Sequence, residues 1–244
     1  MARYHASVGS VTVDFDRFKC LSFDCYGTLI DWETGLLRAL RSSLTRHSVE
    51  IGDQELLSAY AEAETNIEAG GYRPYHQVLR EVLLALGRRY GFSPQARELE
   101  EFSASVADWP SFDDSPSALA ALHEKYKLII LSNIDDDLFQ HSARKLGIDF
   151  DHVFTAQRIH SYKPSETNFR YLIENAGFPR ERILHVAQSL FHDIAPAKRV
   201  GLATVWVNRR SGQAGTGATP PAQAEPDLEV PDLKTLASLA GVVR

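Results

Sequence analysis

Four short segments hold the side chains that could do chemistry together. Asp24 ends the largely apolar run from Phe18 to Phe23 and is followed by Cys25-Tyr26-Gly27-Thr28. Ser132-Asn133 ends the run from Lys127 to Leu131, and Lys163 stands in Ser161-Tyr-Lys-Pro164. Ala187-Gln188-Ser189-Leu-Phe-His192-Asp193 follows the apolar run that starts at Ile183. A carboxylate can act as a nucleophile, a hydroxyl–amide pair can hold an oxygen, an ammonium can steady an anion, and a second carboxylate can orient water. Singly, each has an ordinary explanation. A strand-end aspartate caps a turn, Ser-Asn makes turns, and a lysine before proline is solvated. Their order in one chain points instead to nucleophilic catalysis by Asp24. His185 and His192 lack the spacing and companion ligands of a zinc site, so no metal is expected there.

These residues need a scaffold that brings distant segments to one edge. The apolar runs ending at Asp24, Asn133, Ala156, Ala187 and Val207 read as strands, and amphipathic helices separate the later ones. Such alternation implies right-handed crossovers and a parallel sheet whose carboxyl ends lie side by side. Gly27 permits the tight turn after Asp24. Between residues 33 and 110 no strand is expected. Glu33–His47, a helix capped by Asp53, Tyr75–Tyr90 after Pro74, and a helix opened by Pro94 fill that stretch. Further helices are expected at Ser117–Lys125, Asp135–Leu146, Ser165–Ala176 and Asp193–Val200. A short strand, Asp227–Val230, and a helix through Leu239 close the chain. The expected fold class is α/β, a Rossmann-like core of residues 1–32 and 111–244 with an inserted all-helical cap of residues 33–110. Residues 1–16 read as a loose arm or a short strand, and the Gly/Ala/Pro-rich stretch Ser211–Pro226 as a mobile loop.

The net charge of −6 and the lack of a basic run argue against a nucleic-acid partner, and an anionic substrate would need a local positive pocket. No apolar stretch has membrane-spanning length, and the N-terminus lacks the apolar block of a signal peptide. Two cysteines, Cys20 and Cys25, make no disulfide framework, so a reduced, cytoplasmic setting is expected.

Asp24-x-Tyr-Gly-Thr28, Leu131-Ser-Asn133, Tyr162-Lys-Pro164 and the segment ending at Asp193 resemble the four motifs of the haloacid dehalogenase superfamily, over roughly Phe18 to Leu239. The resemblance implies Asp24 as nucleophile, Ser132 holding oxygens, Lys163 steadying the anionic centre and Asp193 orienting water. Phosphatases of the superfamily resemble Asp-x-Asp in the first motif. Here Tyr26 takes the second place and is a poor acid near neutral pH, while Gln188-Ser189 thins the acidic set that would hold magnesium. A halide leaving group needs no proton.

With Trp32 after Leu-Ile-Asp31, the chain looks like the type II 2-haloacid dehalogenase branch. That branch implies an aspartyl ester on Asp24, no cofactor, a small-molecule carboxylate substrate, often a homodimer, and a 2-hydroxy acid product. Tyr26, Thr28, Trp32, Asn133, Arg73, Phe169, Ser189 and His192 would surround the substrate. Arg73 stands in for the halide-cradling arginine of that branch, Phe169 for its tyrosine, and Gln188-Ser189 for its serine–asparagine. The helix Tyr60-Ala-Glu62-Ala-Glu64 is acidic where that arginine belongs. The same motifs also look like L-azetidine-2-carboxylate hydrolase, a relative that breaks a C–N bond and for which Glu62 or Glu64 would be favourable. A phosphatase is the third expectation. A binding module without catalysis is the fourth, and the intact Asp24 and Lys163 speak against it.

Overall fold

The computed structural model describes residues 13–213 and 215–243, so most of the expected N-terminal arm lies outside the described residues. The chain order begins with β1 (Cys20–Phe23), then a block of four helices, α1 (Trp32–Arg46), α2 (Asp53–Glu68), α3 (Tyr75–Tyr90) and α4 (Ala96–Ala104). After it come α5 (Ser115–His123), β2 (Lys127–Ser132), α6 (Asp136–Leu146), β3 (His152–Thr155), the single turn α7 (Ala156–Ile159) and α8 (Glu166–Asn175). The chain then runs through β4 (Ile183–Ala187), a wide turn at Leu190–Ile194, α9 (Ala195–Arg199), β5 (Ala203–Val207), β6 (Leu228–Val230) and α10 (Leu233–Leu239).

All six strands pair in parallel in the order β3-β2-β1-β4-β5-β6. β1 therefore lies at the point where the strand order reverses. Connections leave on opposite sides there, which opens a crevice beyond the carboxyl ends. The strands are apolar on both faces because helices cover both. Leu21, Phe23, Leu128, Ile130, Leu184 and Val186 join the larger core cluster, while Cys20, Ile129, Leu131 and Ile183 turn to the smaller one with Phe169 and Leu172 of α8. This is the period-two alternation of a pleated strand.

The helical insertion sits on the face of the larger cluster, which runs continuously from Phe23 through Trp32, Leu36, Tyr60 and Val78. An aromatic chain ties it to the turn after β1. Tyr26 meets Trp109 edge-on at 5.7 Å, Trp109 lies 6.4 Å from Trp32, and Trp32 meets Tyr60 edge-on at 5.9 Å. Trp109 packs closely on α1 at Gly35, where an added Cβ would sit 2.3 Å from the indole Cδ1.

Three local expectations differ from the structure. Gly52, not Asp53, is the residue before α2, because the Asp53 carboxylate is engaged by Arg41. The fourth helix starts at Ala96, where Gln95 and Glu98 exchange side-chain and backbone hydrogen bonds, and not at Pro94. Asp193 falls inside the wide turn before α9, so the helix expected at Asp193–Val200 starts only at Ala195. The stretch from 211 to 226 forms no helix or strand among its described residues, yet it packs. The Ala218 amide donates to Glu33 Oε1 at 2.8 Å, and Ala218 and Thr219 are buried.

Gly35→Ala should lower stability by about 2 kcal/mol in chemical denaturation. Alanine gains roughly 1 kcal/mol of helix propensity, but overpacking a rigid buried indole costs about 1–3 kcal/mol and a 2.3 Å contact stands at the severe end.

Candidate active site

Asp24 is the first residue after β1. Its amide donates to Val186 O at 3.1 Å, which continues the β1–β4 ladder by one step and holds the carboxylate beyond the sheet edge. The tight turn that follows needs Gly27, at φ +94°, where a Cβ would stand 3.0 Å from both Gln188 Oε1 and Trp32 Nε1. Thr28 comes back from that turn. Its hydroxyl donates to Asp24 Oδ2 at 2.8 Å and accepts from the Gln188 amide at 2.9 Å.

Lys163 is 2% exposed, although a lysine before proline reads as a surface residue. Its ammonium donates to Asp24 Oδ1 at 2.8 Å, to Asp193 Oδ1 at 2.7 Å and to Leu131 O at 3.0 Å. An ammonium has three protons, so its donor capacity is filled. Asn133 sets the height of this lysine: its Oδ1 accepts from the Lys163 amide at 2.7 Å and its Nδ2 donates to Lys163 O at 3.0 Å. Although Asn133 borders the cavity, its amide is committed to the Lys163 backbone, whose donor–acceptor pattern it matches, and its Nδ2 also donates to Glu68 Oε2 at 3.3 Å, so it is not free to grip a substrate carboxylate.

Asp193 is 1% exposed and accepts a second bond on Oδ1 from His185 Nε2 at 3.0 Å; His185 Nδ1 is bonded to Ser22 Oγ at 2.8 Å. Its other oxygen, Oδ2, is buried without a hydrogen-bond partner among the described residues. Burial and the neighbouring Asp193 charge push the Asp24 carboxyl up, against the pull of Lys163. Lys163 and His185 hold Asp193 below the usual carboxylate range in spite of its burial. The two carboxylates pull Lys163 above the usual lysine value against its own desolvation.

A cavity of about 40 Å³ opens over this group, bordered by Asp24, Tyr26, Trp32, Ser132, Asn133, Lys163, Ser189, His192 and Asp193. By the same measure a water needs about 10–15 Å³, so the space suits a ligand of a few atoms. Ser132 Oγ is buried with no partner and faces this space. Ser189 Oγ accepts from the His192 amide at 2.9 Å, and burial lowers His192 to about 4, which keeps it neutral at neutral pH. The Tyr26 hydroxyl bonds to Ser142 Oγ on α6 at 2.9 Å, and burial pushes it further above the ordinary phenol value, so it is no proton donor to the cavity.

Two expected substrate contacts lie elsewhere. Arg73 donates to Glu81 at 2.7 Å on the helical insertion and does not border the cavity. The nearby acid on α3 captures it before it can fold over the site. Phe169 is fully buried on the opposite face of the sheet, edge-on to His185 at 5.4 Å. It backs the Asp193–His185 pair without touching the cavity.

The structure adds residues not anticipated from the sequence as a group. Glu64, Glu68 and Tyr75 of the helical insertion, with Gln188 and Thr219, complete the wall. Of the two acids expected near the site, Glu64 faces in and Glu62 faces out, where it accepts from Arg89 at 2.6 Å. The signal was present: Tyr60, Glu64 and Glu68 continue at four-residue spacing the buried stripe of α2. Nothing local marks Thr219. The local positive pocket expected for an anion is a single ammonium already shared by two carboxylates.

The donor set does not suit magnesium. Both oxygens of Asp24 are engaged, position 26 offers a hydroxyl turned to α6, and Asp193 Oδ1 is taken by Lys163 and His185. Among the described residues, the group of His, Cys, Asp or Glu side chains close enough to share an ion is His76, Asp135 and Asp137, none of which borders the cavity. No helix among the described residues is long and apolar enough to cross a membrane.

Known proteins are similar to this chain at low identity. An (S)-2-haloacid dehalogenase of Pseudomonas sp. (strain YL) is 25% identical over 235 residues, 92% of this chain and 95% of that protein. The 5-amino-6-(5-phospho-D-ribitylamino)uracil phosphatase YigB of Escherichia coli (strain K12) is 28% identical over 243 residues, 91% of this chain and 96% of its own. The L-2-haloacid dehalogenase structure from Xanthobacter autotrophicus superposes with a TM-score of 0.75 at 24% identity, covering 92% of this chain and 98% of that one. The model of the haloacid dehalogenase-like hydrolase family matches residues 18–201, from the strand that presents Asp24 to the turn after α9, and with it the chain belongs to that family of hydrolases.

Proposed function

We propose that this hydrolase displaces a leaving group from C2 of a short carboxylic acid through an ester on Asp24, the reaction type of an (S)-2-haloacid dehalogenase, without a metal ion. The single observation that carries the reading is the Asp24–Lys163–Asp193 triad, with bonds of 2.8 and 2.7 Å, beside a tyrosine where a phosphatase keeps its acid. In this reading residues 33–110 act as the cap and residues 1–32 and 111–244 as the catalytic core.

Asp24 attacks C2 in line, and the leaving group departs with the bonding pair. Lys163 and Thr28 hold the carboxylate so that its lone pairs are oriented before the substrate arrives, which lowers the reorganisation needed in the transition state. Water then attacks the Asp24 side-chain carbonyl. Asp193 Oδ2, buried and unpartnered, supports the role of aligning that water, with neutral His192 beside it. Lys163 faces the oxyanion that forms on the ester carbonyl, and a 2-hydroxy acid leaves. Ser132 Oγ is the free donor for the substrate carboxylate.

Asp24→Asn should lower turnover by roughly 10⁴-fold or more, as loss of a nucleophile does. A single turnover in H₂¹⁸O should leave the label in the wild-type Asp24 carboxylate and not in the product. Label found only in the hydroxy acid would remove Asp24 from the covalent step. Turnover of 2-chloropropionate should persist in excess EDTA, whereas strict dependence on magnesium would return the chain to the phosphatases. Protonated Asp24 cannot attack, so activity should be present above its raised pKa and lost as pH falls through it. The acid limb of kcat/KM should therefore lie above the ordinary aspartate value of 3.8. A profile flat to below that value would contradict the assignment.

A further inference from the structure

The wall that α2 presents to the cavity is acidic. Glu64 and Glu68, one helical turn apart, both border the cavity. Lys163 is the one Lys or Arg side chain among the described residues that border it, and it is already saturated by Asp24, Asp193 and Leu131 O. Acids of α2 that face solvent behave differently: Glu62 is paired with Arg89 and Asp53 with Arg41. Glu64 is buried and Glu68 is half-buried, with the Asn133 Nδ2 donating to its Oε2 at 3.3 Å and no cation among the described residues paired to either. A carboxyl so placed is expensive to keep ionised, and the lower-energy state is the protonated acid. Burial accordingly raises Glu64 to about 7, and burial with the Glu64 charge raises Glu68 well above the usual range.

The hydrogen bonds locate the proton. Tyr60 and Tyr75 each donate their hydroxyl to the same oxygen of Glu64, Oε1, at 2.7 and 2.6 Å. Each phenol has one proton, so Oε1 is filled as an acceptor and the carboxyl proton belongs on Oε2. Oε2 has no hydrogen-bond partner among the described residues, and the side chain borders the cavity. The pair of tyrosines also suits the other half of a catalytic cycle, since two phenol donors on Oε1 stabilise the carboxylate that remains once the proton has gone.

We propose that Glu64 is the general acid of this enzyme, the proton donor absent at position 26 being supplied from α2, and that its substrates include 2-substituted carboxylic acids whose leaving atom is nitrogen or oxygen. The inference rests on Asp24 as the nucleophile. X enters without an added proton, as the free amine or an ether or ester oxygen. An Asp24 oxygen bonds to C2, the C2–X bond breaks, its electron pair goes to X, and X takes the proton from Glu64 Oε2 as it leaves. Glu64 is left as a carboxylate held by Tyr60 and Tyr75. Water then cleaves the Asp24 ester, returning the Asp24 carboxylate and the hydroxy acid, and the proton released restores Glu64. A chloride leaves without a proton, so its displacement bypasses Glu64.

That difference is the test. Wild type, Glu64→Gln and the solvent-facing control Glu62→Gln are assayed for chloride release from (S)-2-chloropropionate and for ring opening of L-azetidine-2-carboxylate, with thermal melts as a check of folding. The glutamine keeps an oxygen to accept from Tyr60 and Tyr75, so the melt should move little. Glu64→Gln is expected to retain chloride release within about threefold and to lose at least 100-fold of the ring opening, with Glu62→Gln unchanged in both. In wild type the alkaline limb of ring opening should follow the Glu64 carboxyl, and the chloride reaction should lack that limb. Equal slowing of both reactions by Glu64→Gln, or chloride release by a wild type that opens no ring, overturns the inference and leaves the Asp24 reading standing. A wild type inert toward both substrates overturns the two together.

Discussion

One ammonium, that of Lys163, holds two buried carboxylates on either side of it. Asp24 and Asp193 come from segments 169 positions apart and both give an oxygen to the same Nζ. Two carboxylates this deep could not both ionise without a shared cation, because desolvation and mutual repulsion both favour protonation. The lysine is kept in place by five hydrogen bonds: its protons by Asp24, Asp193 and Leu131 O, and its backbone on both sides by the Asn133 amide. The geometry of the crevice follows from that constraint.

The sheet order makes the constraint possible. With β1 between β2 and β4, the residues after three strands meet at one edge, and the wide turn after β4 returns Asp193 beneath its own strand to reach His185 and Lys163. The insertion then decides what faces this edge. Its aromatic chain from Tyr26 through Trp109 and Trp32 to Tyr60 fixes α2 over the crevice and brings acids, not an arginine, to the wall. In the proposed reading the floor serves attack at carbon, while the wall is acidic.

Much of this was legible along the chain. The apolar runs from Phe18, Lys127 and Ile183 mark strands covered on both faces, and each ends in polar residues that chain order alone puts at one edge. Gly27 needs its positive φ, and the i, i+4 stripe of α2 runs on through Glu64. Other features were not legible. Lys163 before Pro164 has the local look of a solvated lysine, and Arg73 has that of a loop residue free to reach the site. The first is 2% exposed and the second is taken by Glu81. Asn133 looked like a substrate contact and is spent on the Lys163 backbone and Glu68.

The sequence by itself determined which side chains stand at strand ends and in what order, since periodicity, turn glycines and the limits of apolar runs are local properties that survive without a fold. Only the tertiary structure decided which of those groups are charged, which are paired and which face the cavity. Desolvation and hydrogen bonding depend on what other segments bring within a few ångströms, and no local pattern records that. Glu62 and Glu64 make the point: two residues apart on one helix, one is paired with an arginine in water and the other lies buried under two tyrosine hydroxyls.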